Sequence, residues 1–405
     1  MAIPQTFNPW MCALLLGIGV LLSNPGCQTA PEPVVERVEA PPPPPEPALR
    51  AMADTHLTLF GEFPGRERVP FQARAASPAQ QHTAISDGAD FDVRVSPDGR
   101  MLVFASTRHA SQPEIYIKAV DGQAITQVVA DPAADVQPTF SPDGKRICFA
   151  SNRSGNWDLW MVSLDGGQPV QITHSPQHEV HPSFSPDGKR LVYCMFNDRS
   201  DTWELWTLAL DAPGSRRMIG VGLFPEWSPK GDSIIYQRAR ERGGRWFSIW
   251  RIDLKNGEPG FPQELAASSS MALIQPTWSP DGAWIAYGTA RLETPAAASA
   301  EPASGMAAAT PSSDLEQTRG DIWIMQANGT SAVQLTDGAG AYFGPAWSCD
   351  GRVYFTSRQN ATETIWSVRP TGIAAPQTPV ASVDTIVEPA AGQANRARIA
   401  RGQGG

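Results

Sequence analysis

The 405-residue chain has little cysteine, no excess of positive charge and no long apolar run. Its 32 Lys+Arg against 41 Asp+Glu give a formal net charge of −9, which argues against a nucleic-acid partner because such proteins need clustered positive charge. Of its cysteines, Cys12 and Cys27 lie near the N-terminus, whereas Cys148, Cys194 and Cys349 lack the C-x-x-C spacing of a zinc site. We therefore expect no essential disulfide, metal or cofactor, and we interpret Cys148 and Cys194 as buried strand residues.

Local patterns of common enzymes are also absent. The sequence has no G-x-S-x-G nucleophile elbow and no Gly-rich phosphate loop. The segment His178-Glu179-Val180-His181 lacks the H-E-x-x-H spacing of a zinc helix. Residues three apart on a strand face opposite ways, so His178 and His181 are not expected to share a metal. A non-catalytic protein is the expectation.

An apolar run from Met11 to Leu22 is too short to span a bilayer core of roughly 30 Å as a helix and is typical of a signal peptide. The run is followed by Ser23-Asn24-Pro25-Gly26-Cys27, in which a small residue precedes the cysteine. This arrangement resembles a bacterial lipoprotein cleavage site and implies lipid attachment at Cys27, with a plain secretory signal as the alternative. We expect residues 1–27 to be a leader and the mature chain to be periplasmic and anchored to the membrane.

Residues 28–80 are rich in proline, including the run from Pro41 to Pro45. Such a segment favours extended polyproline II and cannot form a core, so it predicts a semi-rigid spacer between membrane and globular domain. Residues 376–405 are interpreted as a flexible C-terminal tail.

Between these segments one unit recurs six times. Its anchors are Ser-Pro-Asp-Gly or close variants, and they begin at Ser96, Ser141, Ser185, Ser228, Ser279 and Ser348. Successive anchors lie 45, 44, 43, 51 and 69 residues apart. The longest spacing contains an Ala/Pro/Ser-rich insertion at 293–318, which we interpret as a mobile surface excursion in the fifth unit.

Each anchor predicts a tight hairpin turn, because Pro fixes φ, Asp bonds its own backbone and Gly takes the left-handed conformation. A short strand ending in an aromatic precedes the turn, as in Pro138-Thr139-Phe140, and a β-rich run follows it. A third strand has the pattern of Asp158-Leu159-Trp160, and a fourth is visible at Val170 to Thr173. Four antiparallel strands in about 44 residues, repeated six times, predict an all-β six-bladed propeller over residues 81–375.

The P-x-[FW]-S-P-D-G turn, the Phe-x-Ser second strand and the Asp-Ile-Trp/Tyr third strand resemble the propeller repeats of the TolB family over residues 82 to 372. The resemblance implies a non-enzymatic, periplasmic, protein-binding propeller. Its partner would be an envelope protein such as a peptidoglycan-associated, Pal-like lipoprotein. The departure lies upstream, where the family carries an α/β domain and this chain has mostly proline-rich sequence. We expect a monomer.

Closing the ring requires a strand from one terminus to complete the blade at the other. Thr83 to Gly88 is predicted to be the fourth strand of the sixth blade. Gln377 to Ala381 is the alternative for that position.

An arginine follows each anchor by 10 to 14 residues, between the second and third strands: Arg108, Arg153, Arg199, Arg240, Arg291 and Arg358. We expect each to pair with a carboxylate at the start of the third strand, such as Glu114, Asp158, Glu204 or Asp321. A positively charged ring that receives an acidic partner is the alternative. The turn aspartates, of which Asp143 is one, are interpreted as structural because one sits in each blade.

The innermost strands of a propeller line its central tunnel, so we expect Asp135, Gln137, Glu179 and His181 to reach the tunnel mouth. The candidate partner-binding residues combine this mouth with three of the loop arginines: Asp135, Glu179, His181, Arg108, Arg153 and Arg199. Two other functions stay open, a carbohydrate-active enzyme acting at the tunnel mouth and a small-ligand-binding propeller, because a fold does not determine a function.

Overall fold

The computed structural model describes residues 78–239, 247–268, 271–290, 320–338, 340–359 and 362–371. Within these ranges the chain forms 25 β-strands in six sheets. The predicted all-β, six-bladed propeller is confirmed, and each blade is an antiparallel sheet. Over the same ranges no helix is long and apolar enough to cross a membrane.

The strands are numbered along the chain, and the first of them, β1 (Gln80–Gln81), belongs to the last blade. Blade one contains β2 (Asp90–Val95), β3 (Met101–Ser106), β4 (Glu114–Ala119) and β5 (Ile125–Gln127). Blade two contains β6 (Asp135–Phe140), β7 (Arg146–Ser151), β8 (Asp158–Ser163) and β9 (Val170–Gln171). Blade three contains β10 (Glu179–Phe184), β11 (Arg190–Asn197), β12 (Thr202–Ala209) and β13 (Ala212–Val221).

Blade four has five strands, one more than the repeat predicts: β14 (Leu223–Trp227), β15 (Ser233–Ala239), β16 (Phe247–Lys255), β17 (Glu258–Pro259) and β18 (Gln263–Ala266). Both β17 and β18 pair with β16. Blade five contains β19 (Ala272–Trp278), β20 (Trp284–Ala290), β21 (Ile322–Gln326) and β22 (Val333–Gln334). Blade six contains β23 (Ala341–Trp347), β24 (Val353–Gln359) and β25 (Thr362–Val368), and β1 completes it.

The Ser-Pro-Asp-Gly anchors form the predicted turns between first and second strands. Ser96 Oγ donates to Asp98 Oδ1 at 2.5 Å, and the backbone N–H of Gly99 donates to the Ser96 carbonyl at 2.8 Å. The hydrogen bond from Ser96 lowers the pKa of Asp98. In blade four, where Lys230 replaces the acid, Ser228 Oγ donates to Asp232 instead, at 2.7 Å.

These turns lie together at one end of the ring, which we call the turn face. A Cβ added to Gly144 would lie 3.8 Å from Cδ of Pro97 in the preceding blade. At the junction of blades six and one, Cys349 takes the place of the proline, and a Cβ on Gly99 would lie only 2.6 Å from its Sγ. Only glycine fits there, since φ of Gly99 is also +74°. The loops between second and third strands lie at the opposite end, the loop face.

The core is built from side chains that the repeat places at the same position in each blade. The second strands contribute a buried aromatic residue: Phe104, Phe149, Tyr193, Tyr236, Tyr287 and Phe355. The third strands contribute a fully buried aliphatic residue: Ile115, Leu159, Leu205, Ile249, Ile322 and Ile365. These side chains pack blade against blade, which is the main source of stability for such a ring. Cys148 and Cys194 are buried residues of β7 and β11, as expected.

The ring is closed by the N-terminal strand, as predicted, but in a different register. Strand β1 pairs with β25 through Gln80 and Gln81, and the predicted strand Thr83 to Gly88 begins too late. Thr83, the first residue of the predicted strand, instead follows β1, and its Oγ1 accepts the backbone N–H of Ile365 at 3.0 Å. The alternative strand Gln377 to Ala381 lies outside the described residues.

The same threonine contact recurs in other blades. Thr173 Oγ1 accepts the N–H of Leu159 at 2.9 Å, and Thr336 Oγ1 accepts the N–H of Ile322 at 3.0 Å. A threonine two residues after the fourth strand therefore accepts a backbone N–H of the third strand in three blades.

We expect Thr83→Val to lower the free energy of unfolding by about 1–3 kcal/mol, because it leaves a buried N–H without an acceptor at the ring closure. Chemical denaturation measures this change. Thr126→Val, on the exposed side of β5, is the matched control and should change stability little. Equal effects from the two variants would contradict a special role for the Thr83 hydroxyl.

Candidate functional site

Two of the loop arginines are held in buried ion pairs. Arg153 Nη2 donates to both carboxylate oxygens of Asp135, at 2.9 and 2.7 Å, and Arg153 Nε donates to Ser151 Oγ at 2.8 Å. In blade one, Arg108 Nη2 lies 2.7 Å from both oxygens of Asp90. The carboxylate side chains are fully buried and the arginine side chains are 12–13 % exposed.

The arginines are therefore structural brackets, as expected, but the predicted partners Glu114 and Asp158 are wrong for Arg108 and Arg153. The carboxylate comes from the start of the first strand, not the third. Glu114 and Asp158 instead bond glutamines of the fourth strands. Gln127 Nε2 donates to Glu114, and Gln171 Nε2 donates to Asp158 Oδ2 at 3.0 Å.

The other loop arginines differ from this pair. Arg358 Nε donates to Glu363 Oε1 at 2.7 Å. Glu363 lies at the start of the third strand of its blade, where the sequence predicted the partner carboxylate. Arg199 is exposed on the loop face, and in the described part of the chain its side chain forms no ion pair within 4.0 Å. Arg240 and Arg291 lie outside the described residues.

Glu179 occupies the position of Asp135 in blade three. Its side chain is fully buried, and its Oε1 accepts from Arg216 of β13 at 3.3 Å. Burial is the main reason that the pKa of Glu179 is raised to about 7, and the negative charge of the neighbouring Asp158 carboxylate also raises it. Burial also raises the pKa of Asp158.

Only two of the four residues expected at the tunnel mouth reach it. His181 and Gln137 line the tunnel, whereas Asp135 and Glu179 are buried inside the blades and do not reach it. A regular strand would place Asp135 and Gln137 on one face. The ladder between β6 and β7 instead shifts register between Val136 and Thr139, which is a β-bulge that redirects the side chain of Gln137.

This bulge recurs in every blade and forms a narrow collar around the tunnel. The collar residue is the third residue of the repeated first-strand hexapeptide, and each has a left-handed backbone with φ between 52 and 61°: Asp92, Gln137, His181, Phe224, Gln275 and Gly344. Left-handed backbone is costly for residues other than glycine and is found where a site is held in a fixed geometry.

Side chains of the collar bond the backbone of the next blade. The N–H of Gln137 donates to Asp92 Oδ2 at 3.2 Å, and the N–H of His181 donates to Gln137 Oε1 at 2.9 Å. Between blades five and six, the N–H of Gly344 donates to Gln275 Oε1 at 2.8 Å. The His181 and Phe224 rings contact one another, with centroids 3.8 Å apart. Contacts of the collar thus link blades one to four and, separately, blades five and six.

A cavity of about 230 Å³ extends from the collar to the turn face. Its wall is built from the collar and from the residues two and three positions further along each first strand, and Pro142 of a turn also contributes. The charged groups in this wall are Asp92, Arg94 and Glu226. Polar side chains of Thr139, Ser183 and Thr277 lie between them. The cavity lies away from the loop face.

Burial shifts the pKa values of the ionisable groups in this wall. It raises the pKa of Asp92 to about 6 against the opposing effect of the Arg94 guanidinium, and it raises the pKa of Glu226 in the same way. Burial and the positive charge of Arg94 lower the pKa of His181 to about 3, so that its imidazole is neutral. These groups are half-buried or buried and are surrounded by the ring, which accounts for the size of the shifts.

No group of three or more His, Cys, Asp or Glu side chains able to hold a metal is found in the part of the chain that the structure describes. His178 Nδ1 accepts the N–H of Trp157 at 3.3 Å, and His181 Nε2 contacts Gln137 Nε2 at 2.8 Å. The two histidines serve different local contacts.

Sequence reasoning missed Asp92, Arg94, Glu226 and Gln275. A signal was present, because the proline and the aromatic residue of the first strand are copied in five of the six repeats, whereas the collar position and the position two residues later vary. Positions that a repeat does not copy are not needed by its fold. Only the bulge, however, shows that both positions face the tunnel.

Six antiparallel blades around one tunnel define a six-bladed β-propeller. Residues 66–258 match the family model described as the TolB beta propeller domain. Over these residues the propeller is therefore similar to the TolB propeller domain. No curated protein matches the sequence.

Solved structures similar to this chain come from several functional classes. A TolB structure from Agrobacterium tumefaciens is 20% identical over 69% of this chain and 90% of its own, with a TM-score of 0.48. TolB from Acinetobacter baumannii is 18% identical over 69% of this chain and 63% of its own, with a TM-score of 0.44. Oligogalacturonate lyase from Vibrio parahaemolyticus is 14% identical over 73% of this chain and 92% of its own, with a TM-score of 0.45. The architecture rests on strand pairing and not on these likenesses.

Proposed function

We propose that this chain is a non-catalytic, protein-binding propeller of the bacterial cell envelope, similar in role to TolB. The observation that carries the proposal is the match of residues 66–258 to the TolB beta propeller domain. Its partner is an envelope protein of the peptidoglycan-associated, Pal-like lipoprotein class. The leader up to Cys27 and the proline-rich segment support a periplasmic position with a lipid anchor.

The loop face is the side that we assign to the partner. Arg108 and Arg153 are committed to buried carboxylates, and Asp135 and Glu179 are buried, so these four residues present little to a partner. Arg199 is exposed in the loop between β11 and β12, next to the exposed Asp198. Of the six candidate partner-binding residues, Arg199 is therefore the best placed to contact another protein. A rim charge of this kind affects association rate and specificity.

The test is direct binding of the purified full chain to the purified Pal-like lipoprotein of the same bacterium, measured by biolayer interferometry. We expect saturable binding that Arg199→Glu weakens by roughly 3- to 10-fold, because charge reversal at a rim opposes a complementary partner. Arg100→Glu is the matched control, since Arg100 is exposed on the turn face, and it should leave binding unchanged.

Absence of binding to the lipoprotein would overturn the proposed partner. Equal weakening by Arg199→Glu and Arg100→Glu would overturn the assignment of the loop face. Depolymerisation of a polysaccharide by the purified chain would favour the alternative of a carbohydrate-active enzyme.

A further inference from the structure

The cavity between the collar and the turn face has features of a small-molecule site that protein binding at the loop face does not use. Its volume of about 230 Å³ is roughly that of seven water molecules in the liquid, which is room for about ten non-hydrogen atoms of a ligand. Concave pockets with a few convergent polar groups are the usual sites for small ligands. The question is which ligand chemistry matches this wall.

The wall holds one guanidinium and two carboxylates that are not paired with each other. Arg94 Nη1 donates to the Val93 carbonyl at 3.0 Å, and no carboxylate of the described residues lies within 4.0 Å of the Arg94 side chain. Glu226 Oε1 accepts from Thr277 Oγ1 and from the N–H of Trp278, at 2.9 and 2.8 Å. Asp92 accepts the N–H of Gln137 through one oxygen only. The second oxygen of each carboxyl group remains available to a ligand.

Asp92 and Glu226 lie on opposite sides of the tunnel, because blades one and four face each other in a ring of six. Arg94 extends from blade one far enough to influence the pKa of both Asp92 and Glu226. A ligand in the cavity would therefore meet one positive and two negative groups.

His181 adds a hydrogen-bond donor to this arrangement. Gln137 Oε1 accepts the N–H of His181, so the amide nitrogen of Gln137 is the donor toward His181 Nε2. Nε2 is then the acceptor of a neutral imidazole, and Nδ1 carries the proton. This Nδ1–H is buried and has no acceptor among the described residues, on a side chain that is 6% exposed. A buried donor without a partner favours a ligand with acceptor oxygens.

We propose that the cavity binds a small diamino carboxylic acid of the lysine type, with its carboxylate toward Arg94 and His181 and its two ammonium groups toward Asp92 and Glu226. Such a ligand has one negative and two positive charges, which balance the one positive and two negative charges of the wall. Balanced pairing is needed because unpaired buried charge is costly. The site is independent of the proposed protein partner.

Other ligand classes match less well. A simple carboxylate would satisfy Arg94 and leave both acidic groups unpaired. A diamine would satisfy Asp92 and Glu226 and leave Arg94 and the His181 donor without an acceptor. The diamino carboxylic acid pairs all four groups.

The test is isothermal titration calorimetry of the full chain at pH 7.5 with four probes: L-lysine, L-norleucine, cadaverine and L-glutamate. L-Norleucine lacks the second ammonium group, and cadaverine lacks the carboxylate. We expect L-lysine to bind with one-to-one stoichiometry and the other three to bind at least about 10-fold more weakly, since each loses a charge-assisted hydrogen bond.

Two cavity variants and one control complete the experiment. Arg94→Met and Glu226→Gln should each weaken L-lysine binding at least about 10-fold, whereas Arg100→Met on the exposed turn should not. If Arg94→Met does not fold, as judged by circular dichroism, Glu226→Gln decides. The proposal is overturned if L-lysine does not bind, if cadaverine or L-glutamate binds as tightly, or if Glu226→Gln leaves the affinity unchanged. None of these results bears on lipoprotein binding at Arg199.

Discussion

Replacing Arg153 with methionine is expected to lower the free energy of unfolding by about 3–5 kcal/mol. The substitution removes both hydrogen bonds to Asp135, at 2.9 and 2.7 Å, and leaves a fully buried carboxylate with no counter-charge. It also removes the bond from Arg153 Nε to Ser151 Oγ and the stacking of the guanidinium 4.9 Å from the Trp160 ring centroid. Methionine keeps much of the apolar stem, so the loss is mainly electrostatic. Chemical denaturation at pH 8 measures it.

Two further variants isolate the buried charge as the cause. Arg199→Met changes the arginine at the corresponding loop position of blade three, where the side chain is exposed, and should cost less than about 0.5 kcal/mol. The double variant Arg153→Met with Asp135→Asn removes the charge as well as its partner, and we expect it to recover most of the lost stability. Burial raises the pKa of Asp135, so protonation at lower pH should also reduce the damage in the single variant. A double variant as unstable as the single one would show that packing, not charge, is responsible.

The propeller could be predicted from the sequence because the same turn and strand pattern repeats along the chain. Each anchor combines a proline, an aspartate and a glycine whose backbone preferences define one turn, and six copies define six blades. Burial of Cys148 and Cys194 and the closing of the ring by the N-terminal strand follow from the same alternation. The extra strand of blade four did not follow, because Glu258–Pro259, which pairs with the end of β16, has no counterpart in the other repeats.

Contacts that depend on how side chains turn in three dimensions could not be predicted in the same way. The spacing of Arg153 showed that it faces a carboxylate, but Asp135 and Asp158 both lie at strand ends near the same loop. In the structure both oxygens of Asp135 accept from Arg153 Nη2. Asp158 Oδ2 accepts from Ser154 and Gln171 instead. The closing strand was also placed too late in the sequence, because β1 has only two residues, both exposed, and no apolar pattern marks it.

The tunnel wall was the least predictable part. Alternation along a regular strand puts Asp135 and Gln137 on one face, and a bulge with φ of 56° at Gln137 separates them. Residues of the first strand thus serve two purposes. The repeated positions hold the blades together, and the positions that differ from blade to blade give the cavity its charged wall.

Glu179→Gln is expected to make the protein more stable than the wild type at alkaline pH and nearly equal to it near pH 4.5. The pKa of Glu179 is raised from 4.5 to about 7, so between these values the folded chain holds a proton that the unfolded chain has released. Proton binding is then greater in the folded state, and the free energy of unfolding falls as the pH rises. The favourable contribution is complete below about pH 4.5 and is lost as the pH rises through about 7.

The stability difference between Glu179→Gln and the wild type at alkaline pH follows from the shift of the Glu179 pKa from 4.5 to about 7. For this fully buried group it is about 3 kcal/mol. The amide of glutamine cannot ionise, and it can still accept from Arg216 and donate toward Asp158, so the variant avoids the loss. Chemical denaturation at pH 5 and pH 8 compares it with the wild type. Asp211→Asn, an exposed change in the hairpin between β12 and β13, is the control and should follow the wild type at both pH values.

A pH dependence of stability unchanged by Glu179→Gln would mean that the Glu179 carboxyl group is already ionised in the folded chain. The negative charge beside Asp158 would then have to be balanced by Arg216 alone, whose side chain is 40% exposed.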